Sequence, residues 1–461
     1  MRATPTVLLA MTGVAGLLSV AGCAPGSGTG SSSSTTSSAA SGTAPVATDP
    51  AKLGEVTLTV WDQEVRGGQA AQIEELNAAF QKKYPNIKLN RVTRSFDDLG
   101  KTLKLALSGN TPPDVFEANN GRADMGAYVK AGQLKSLDDY AKAYGWDTRY
   151  PQSVRQYSSY TPDGKTFGTG SLYGLPQVGE VVGIFVNKAH LTEAGVEAPK
   201  TWADFEAALE KVKAKRANEA PLVLGNVDKW PAIHVFGDVQ ASTTPADQIR
   251  KLAFGQSGAS WKTPENTKAA QTIQTWVDKG YLDKNANGLD YDKAWQEFGA
   301  GKGTFLIGGT WLQADLSKAM KDQVTFMLPP PAQAGGNPVA TGGTGIPWAI
   351  SSKSKNPDAA AAYLDFITNA EAMATIAKTG NLPVVDTAKQ TAPDALGKDV
   401  FAAFGEIVDK DGLVPYLDYA TPTFSDTVGA ALQDLIAKKA TPEQFLDTLE
   451  QDYSAFTAKN G

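Results

Sequence analysis

Polar and apolar positions first alternate at Val56-Thr57-Leu58-Thr59-Val60, a β-branched run that predicts a strand. Ile73, Leu76 and Phe80 then recur at three- and four-residue spacing, the period of an amphipathic helix. The unit repeats. Ile87 to Val92 reads as a strand and Asp97 to Ser108 as a helix; Asp114-Val115-Phe116 reads as a short strand and Arg122 to Ala131 as a helix. Further along, Val181 to Asn187 is a strongly β-prone run, Trp202 to Lys213 a helix, Leu222-Val223-Leu224 a buried strand and Thr267 to Lys279 a helix. Strands become scarce beyond residue 355, where Pro357 to Thr368 and Pro442 to Tyr453 each open a helix with proline in the first turn. The expected class is α/β with largely parallel strands, closed by helices that pack back onto earlier elements. The chain shows no repeat of solenoid period.

The first fifty residues follow no such period. Met1-Arg2 supplies one positive charge, Val7 to Val20 an apolar stretch too short and glycine-interrupted to span a bilayer, and Ala21-Gly22 the small residues before the only cysteine, Cys23. From Ala24 to about Leu53 the residues are almost entirely Ser, Thr, Gly, Ala and Pro, which bury too little apolar surface to order themselves and predict a tether. As a flexible coil of about 5–6 Å × √n, such a segment would reach about 30 Å. With no second cysteine there is no intramolecular disulfide, so the body must rely on its core, for which a hydrophobic fraction of 42% is enough. A chain of 461 residues exceeds one ordinary domain, and two lobes are the simplest fit. The net charge of −6 comes from interspersed charges with no basic block, which argues against a nucleic-acid partner. Two histidines, His190 and His234, leave few soft ligands, so neither a metal nor a cofactor is expected.

The run Leu18-Ser19-Val20-Ala21-Gly22-Cys23 resembles a bacterial lipoprotein box. That resemblance implies a signal peptide over 1–22, an acylated Cys23 at the mature N-terminus and a tether over 23–53, holding the protein on the extracellular face of the cell membrane.

One segment of the body carries candidate chemistry. In Gly301-Lys302-Gly303-Thr304-Phe305-Leu306-Ile307-Gly308-Gly309-Thr310-Trp311, a buried strand leads to two glycines that allow a tight turn, and then to a large aromatic at the start of the next helix. Ligands bind at strand ends of α/β sheets, and a flat indole there can stack on the apolar face of a sugar ring. Around it, Val60-Trp61-Asp62, Pro113-Asp114-Val115 with Gly132-Gln133-Leu134, Tyr173-Gly174-Leu175-Pro176 and Gly183-Ile184-Phe185-Val186-Asn187-Lys188 stand in order. They continue in Thr201-Trp202-Ala203-Asp204-Phe205, Gly309-Thr310-Trp311, Trp348-Ala349-Ile350-Ser351-Ser352-Lys353 and Thr441-Pro442-Glu443. With these stretches, the body from about Val56 to the C-terminus resembles the extracellular solute-binding proteins of carbohydrate ABC importers, the group that includes maltose-binding protein.

The resemblance implies a two-lobed periplasmic-binding-protein-like fold whose three crossings flank a sugar cleft. The expected lobes are 54–182 with 329–380, and 183–328 with 381–461. Crossings fall near Val182-Gly183, Met327 to Pro331 and Thr379 to Pro383, where glycine or proline clusters can absorb the dihedral change of closure. Carried over position by position, Gln63, Glu64, Asn119, Asn120, Arg122 and Glu180 would form the N-lobe wall, because amides, carboxylates and a guanidinium pair well with sugar hydroxyls. Trp230 and Trp311 would form the C-lobe wall, with Gly342-Gly343, Trp348 and Tyr416-Leu417-Asp418-Tyr419 as further candidates. Relatives often carry tryptophan where Tyr419 stands. The implied function is a monomeric, lipid-anchored receptor that closes around a mono- or oligosaccharide and hands it to the permease subunits of an ABC importer.

Two alternatives stay open on the residues alone. A secreted glycoside hydrolase would use Glu64, Asp62 and Glu180 as acid and nucleophile, but the chain lacks eight strand-helix units. A two-lobed receptor for a metal or anion would draw on Tyr416 and Tyr419, whereas nine tryptophans favour a sugar. No catalytic residue is expected: Ser257 and Ser260 have no histidine partner, and Gly168-Thr169-Gly170 and Gly335-Gly336 lack the frame of a phosphate loop.

Overall fold

A strand that alternates, a helix with one apolar stripe and a second, parallel strand make a βαβ unit, and the first two strands form one. In the computed structural model, which describes residues 46–460, β1 is Val56–Asp62, β2 Ile87–Thr93 and β3 Val115–Glu117. A short hairpin, β4 (Ser159–Tyr160) and β5 (Ser171–Leu172), precedes β6 (Gly179–Asn187). Then follow β7 (Leu222–Val223), β8 (Phe305–Gly309), β9 (Val324–Met327), β10 (Ala340–Thr344), β11 (Trp348–Ile350) and β12 (Leu413–Val414).

The strands form two main sheets. The first has the order β11-β3-β1-β2, with β1 parallel to both neighbours and β11 antiparallel to β3. The helix Gly67–Lys83 joins β1 to β2 and buries Ile73, Leu76 and Phe80 against Leu58, Val60, Trp348 and Tyr363. The second sheet has the order β12-β10-β6-β8-β7, with β9 also on β6. Here the parallel expectation fails, because β6 runs antiparallel to β8, β9 and β10, and only the outer pairs β7-β8 and β10-β12 are parallel. The apolar run of β6 follows from its central place: Val182, Ile184 and Val186 enter one core while Val181 and Phe185 enter the core on the opposite face.

The chain passes between the sheets three times. Leu175 bridges Trp348 on the first sheet, and β6 begins at Gly179; β10 ends at Thr344, and β11 returns to the first sheet at Trp348. A third strand of backbone runs alongside: Gly179 N donates to Leu382 O (2.9 Å), Val384 N to Gln177 O (3.2 Å) and Gly345 N to Val178 O (2.9 Å). The passage expected near Val182-Gly183 thus lies at 175–179, and the one expected near Met327 to Pro331 lies at 344–348. The reason is pairing. Gly183 sits inside β6, where a Cβ would come within 2.5 Å of Phe326 Cζ, and β10 remains in the second sheet through Val181 and Glu180. Along the stretch expected for the third passage, Val178 bridges Pro383, Leu382 packs in the core of the second sheet and Val384 in that of the first.

Cys23 and the 1–22 segment lie outside the described residues. The end of the expected tether is folded, however. Pro50–Lys52 forms a turn capped by Asp49, Asn86 Nδ2 donates to Pro50 O and Gly54 O (3.0 and 2.9 Å), and Val46 and Leu53 pack on the first core.

Candidate functional site

Parallel β1 and β3 end side by side, so the loops that leave them meet at one edge of the first sheet. Those loops face the starts of helices Trp230–Ala241 and Gln313–Met320 and the turn at 416–419, and a cavity of about 270 Å³ lies between.

Gln63 enters the cavity wall directly after β1. Its backbone N donates to Glu117 Oε2 (2.7 Å) and its Nε2 to Glu64 Oε1 (3.2 Å). Glu64, expected in the wall, is turned behind it: the chain leaves β1 in a tight turn at Glu64, where Val65 N donates to Gln63 O (2.7 Å), and the Glu64 side chain faces the Glu117 carboxyl instead. Burial pushes both carboxyls up, Glu117 the further because Glu64 adds negative charge. Asp62 behind them is held by Arg91 at 2.7 Å from both Nε and Nη2.

Asn119 and Asn120 line the cavity after β3. Asn119 Nδ2 donates to Asp124 Oδ2 (3.1 Å), and Asn120 Nδ2 donates to Thr344 Oγ1 and Gly345 O (both 3.4 Å). Because Gly345 O only accepts, the Asn120 amide is oriented, and its buried Oδ1 is left without a partner at the cavity. Glu180 lies near the start of β6 in the second sheet, where its Oε2 accepts from the Tyr416 hydroxyl (2.9 Å) and burial pushes its carboxyl up to about 7.

The opposite wall is aromatic. Trp230 lies 4.3 Å from Tyr291 and 6.3 Å from Trp311 between ring centroids, and Trp311 Nε1 donates to Tyr291 Oη (2.7 Å). His234 continues the wall, 5.6 Å from Trp311 and 5.0 Å from Tyr416, and Tyr416 meets Tyr419 edge to face at 5.6 Å. Burial lowers the His234 imidazole to about 3, so it is neutral at physiological pH. Asp418, also lining the cavity, is pushed up to about 7 by burial.

Besides Glu64, three expected residues lie elsewhere. Trp348 is fully buried in the first core, its indole donating to Gln177 Oε1 (2.8 Å). Gly343 (φ 137°) pairs with Glu180, and a Cβ there would meet Tyr157 Cζ at 2.8 Å; its neighbour Gly342 pairs with Val181. Arg122 is buried between Phe167 (5.6 Å) and Phe456 (5.0 Å), and burial lowers its guanidinium to about 10. Residues not foreseen as wall positions complete the cavity, among them Arg66, Phe96, Asp97, Asp228, His234 and Thr344. Arg66, four residues past β1, reaches across the cavity: its Nε and Nη2 donate to Asp292 Oδ1 (3.0 and 2.9 Å). Phe96 reaches Trp230 across the same gap, centroids 5.9 Å apart. Position just after β1 was the available signal for Arg66; Phe96, Asp97 and Asp228 carry none, since only the tertiary fold brings them together.

Known proteins of similar sequence and shape give this site its context. The sequence profile of the family described as bacterial extracellular solute-binding protein matches residues 66–374. The chain is 26% identical over 409 residues to an uncharacterized ABC transporter extracellular-binding protein of Pyrococcus horikoshii, covering 86% of each. It is 24% identical to the multiple sugar-binding protein of Streptococcus mutans (70% of this chain, 73% of that one) and 25% identical to the maltodextrin-binding protein MdxE of Bacillus subtilis (74% and 76%). Among solved structures, a chitin oligosaccharide binding protein superposes with a TM-score of 0.75 at 24% identity, over 88% of this chain and 99% of that one. The two-sheet α/β body, the cavity between the sheets and the extent of the profile match agree, and the chain belongs to the bacterial extracellular solute-binding protein family.

Proposed function

We propose that the protein is an extracellular receptor that captures a carbohydrate and delivers it to an ABC importer. The observation that carries this reading is the pairing of walls: oriented amides on one side, a connected set of indole, phenol and imidazole rings on the other, with carboxylates on both. A sugar ring offers the same two faces, hydroxyls around its edge and apolar C–H groups above and below. Relatives named as multiple sugar-binding and maltodextrin-binding proteins support the same class of ligand.

Closure follows from the three adjacent passages between the sheets. A ligand touching both walls favours the state in which they approach, by its differential affinity for that state, and an importer can read that state. Residues on the first-sheet side form one lobe in this reading and those on the second-sheet side the other, with Glu180 beside the hinge. Gln63, Asn119, Asn120 and Glu180 take hydroxyls, while Trp230, Trp311, Tyr416 and Tyr419 supply stacking surface. A lipid on Cys23 would keep the receptor beside its permease at high effective concentration. The hydrolase alternative loses support because Glu64, one of the carboxylates it would use, is turned to Glu117 and does not line the cavity.

A thermal-shift screen of mono- and oligosaccharides tests the reading. A sugar at 100 times its dissociation constant stabilises by about 2.7 kcal/mol, which raises the melting temperature measurably. A metal ion or a peptide that raises it while no carbohydrate does would overturn the proposal.

A further inference from the structure

The cavity has more acid than a neutral sugar needs. Six carboxylates line it (Asp97, Asp124, Glu180, Asp228, Asp418 and Asp426) against two cations, Arg66 and Lys229. Arg66 is already committed to Asp292 at 2.9 Å, and Lys229 is exposed, its side chain lying along Gly429. Asp124 is paired with Lys104 at 3.2 Å. Asp97, Glu180, Asp228 and Asp418 make no ion pair within 4 Å among the described residues; Lys101 near Asp97 and Arg66 near Glu180 offset them only from farther away, and His234 carries no charge.

Two of these acids oppose each other. Asp97 opens the helix Phe96–Ser108 on the first-sheet side, and Asp228 precedes the helix Trp230–Ala241 on the other. Their neighbours Phe96 and Trp230 touch edge to face at 5.9 Å, which brings the two acids to the same stretch of the cavity wall. Burial and then the negative charge of Asp228 push Asp97 up to about 6. Closing the walls on a neutral guest would bury this repulsion, whereas a guest cation between the acids turns it into attraction. The unpaired acceptors point the same way: Asn120 Oδ1 and Gln69 Oε1 are buried at the cavity without donors, while the buried Trp230 Nε1 is left to donate to a hydroxyl of the same guest. An ammonium brings three donors, and the ring faces of Trp230, Trp311 and Tyr416 also favour a nearby cation.

Resting on the carbohydrate reading, we propose that the preferred ligand carries a protonated amine, an amino sugar or an oligomer containing one, with the ammonium held between Asp97 and Asp228. A neutral sugar is the weaker guest of the same cavity.

Matched pairs test this. Calorimetric titration of the purified protein near neutral pH would compare 2-amino with 2-hydroxy sugars of gluco, galacto and manno configuration, as monosaccharides and disaccharides. The amine is expected to bind about tenfold tighter than its hydroxyl twin, with the ratio shrinking at high salt. D97N and D228N should each lower that ratio severalfold. Hydroxyl sugars binding as tightly as their amine twins, or a ratio that neither variant changes, would overturn the inference and leave the carbohydrate reading standing. If no sugar of either kind binds, the carbohydrate reading itself fails and takes the inference with it.

Discussion

The two walls of the cavity are built by different means. On the first-sheet side, polar groups leave strand ends and are aimed by hydrogen bonds from behind: Glu117 fixes the backbone of Gln63, and Thr344 and Gly345 fix the amide of Asn120. On the second-sheet side, rings are held by other rings, Trp230 on Tyr291 and His234 between Trp311 and Tyr416, with one indole hydrogen bond from Trp311. The polar wall therefore supplies direction and the aromatic wall supplies area. Directional bonds discriminate between ligands, because an unmatched buried acceptor such as Asn120 Oδ1 is left unpaired when the wrong guest binds. Stacking area contributes to affinity with less discrimination.

The largest expected effect tests the aromatic side. Trp230→Ala removes the ring that touches Tyr291, Trp311, His234 and Phe96 together, and should weaken binding of the sugar found in the thermal-shift screen by about 100-fold, close to 3 kcal/mol. Calorimetric titration measures it. A change under threefold in a variant that still melts cooperatively would mean that the rings are core packing and that the polar wall carries affinity as well as direction.

A smaller effect separates packing from hinge motion. Gly183→Ala places a methyl 2.5 Å from Phe326 Cζ and 2.7 Å from Met327 O, inside β6 on the second-sheet side. Overpacking of this kind costs about 2 kcal/mol, read as a lower denaturant midpoint with sugar affinity little changed. If affinity fell while stability held, the glycine would be acting in closure and the passage between sheets would extend further into β6 than its pairing indicates.

That glycine also shows where sequence reading stops. Periodicity made most elements legible: the expected strand Val181 to Asn187 lies within Gly179–Asn187, and the expected helix Asp97 to Ser108 lies within Phe96–Ser108. Gly183 and the prolines at 329–331 look like punctuation in one dimension, yet strand pairing keeps both within the second-sheet side. The same limit applies to the site. Gln63, Asn119 and Asn120 follow parallel strands, and topology alone carries strand ends to a cavity. Glu64 follows Gln63 directly, yet the turn after β1 aims it at Glu117 and away from the cavity. Trp311 lines the cavity and Trp348 fills a core, and nothing in the residues beside either tryptophan separates the two environments. Asp97 and Asp228 meet only through the fold, from helices attached to different sheets.

The smallest expected effect concerns the link between the walls. Arg66 is nearly buried, with 11% of its side chain exposed, whereas its partner Asp292 is 43% exposed and also accepts from Trp295 Nε1 (2.8 Å). Water screens the carboxylate, so the ion pair itself should be worth about 0.5–1 kcal/mol in a double-mutant cycle of Arg66→Ala and Asp292→Ala followed by thermal unfolding. The single variants should not be equivalent. Arg66 also lies over the Tyr291 ring at 5.6 Å and lines the cavity, while Asp292 does neither, so Arg66→Ala should lower sugar affinity more than Asp292→Ala does. Equal losses of affinity from the two variants would show that Arg66 acts only through the ion pair, making it a strap across the cavity and not a part of either wall.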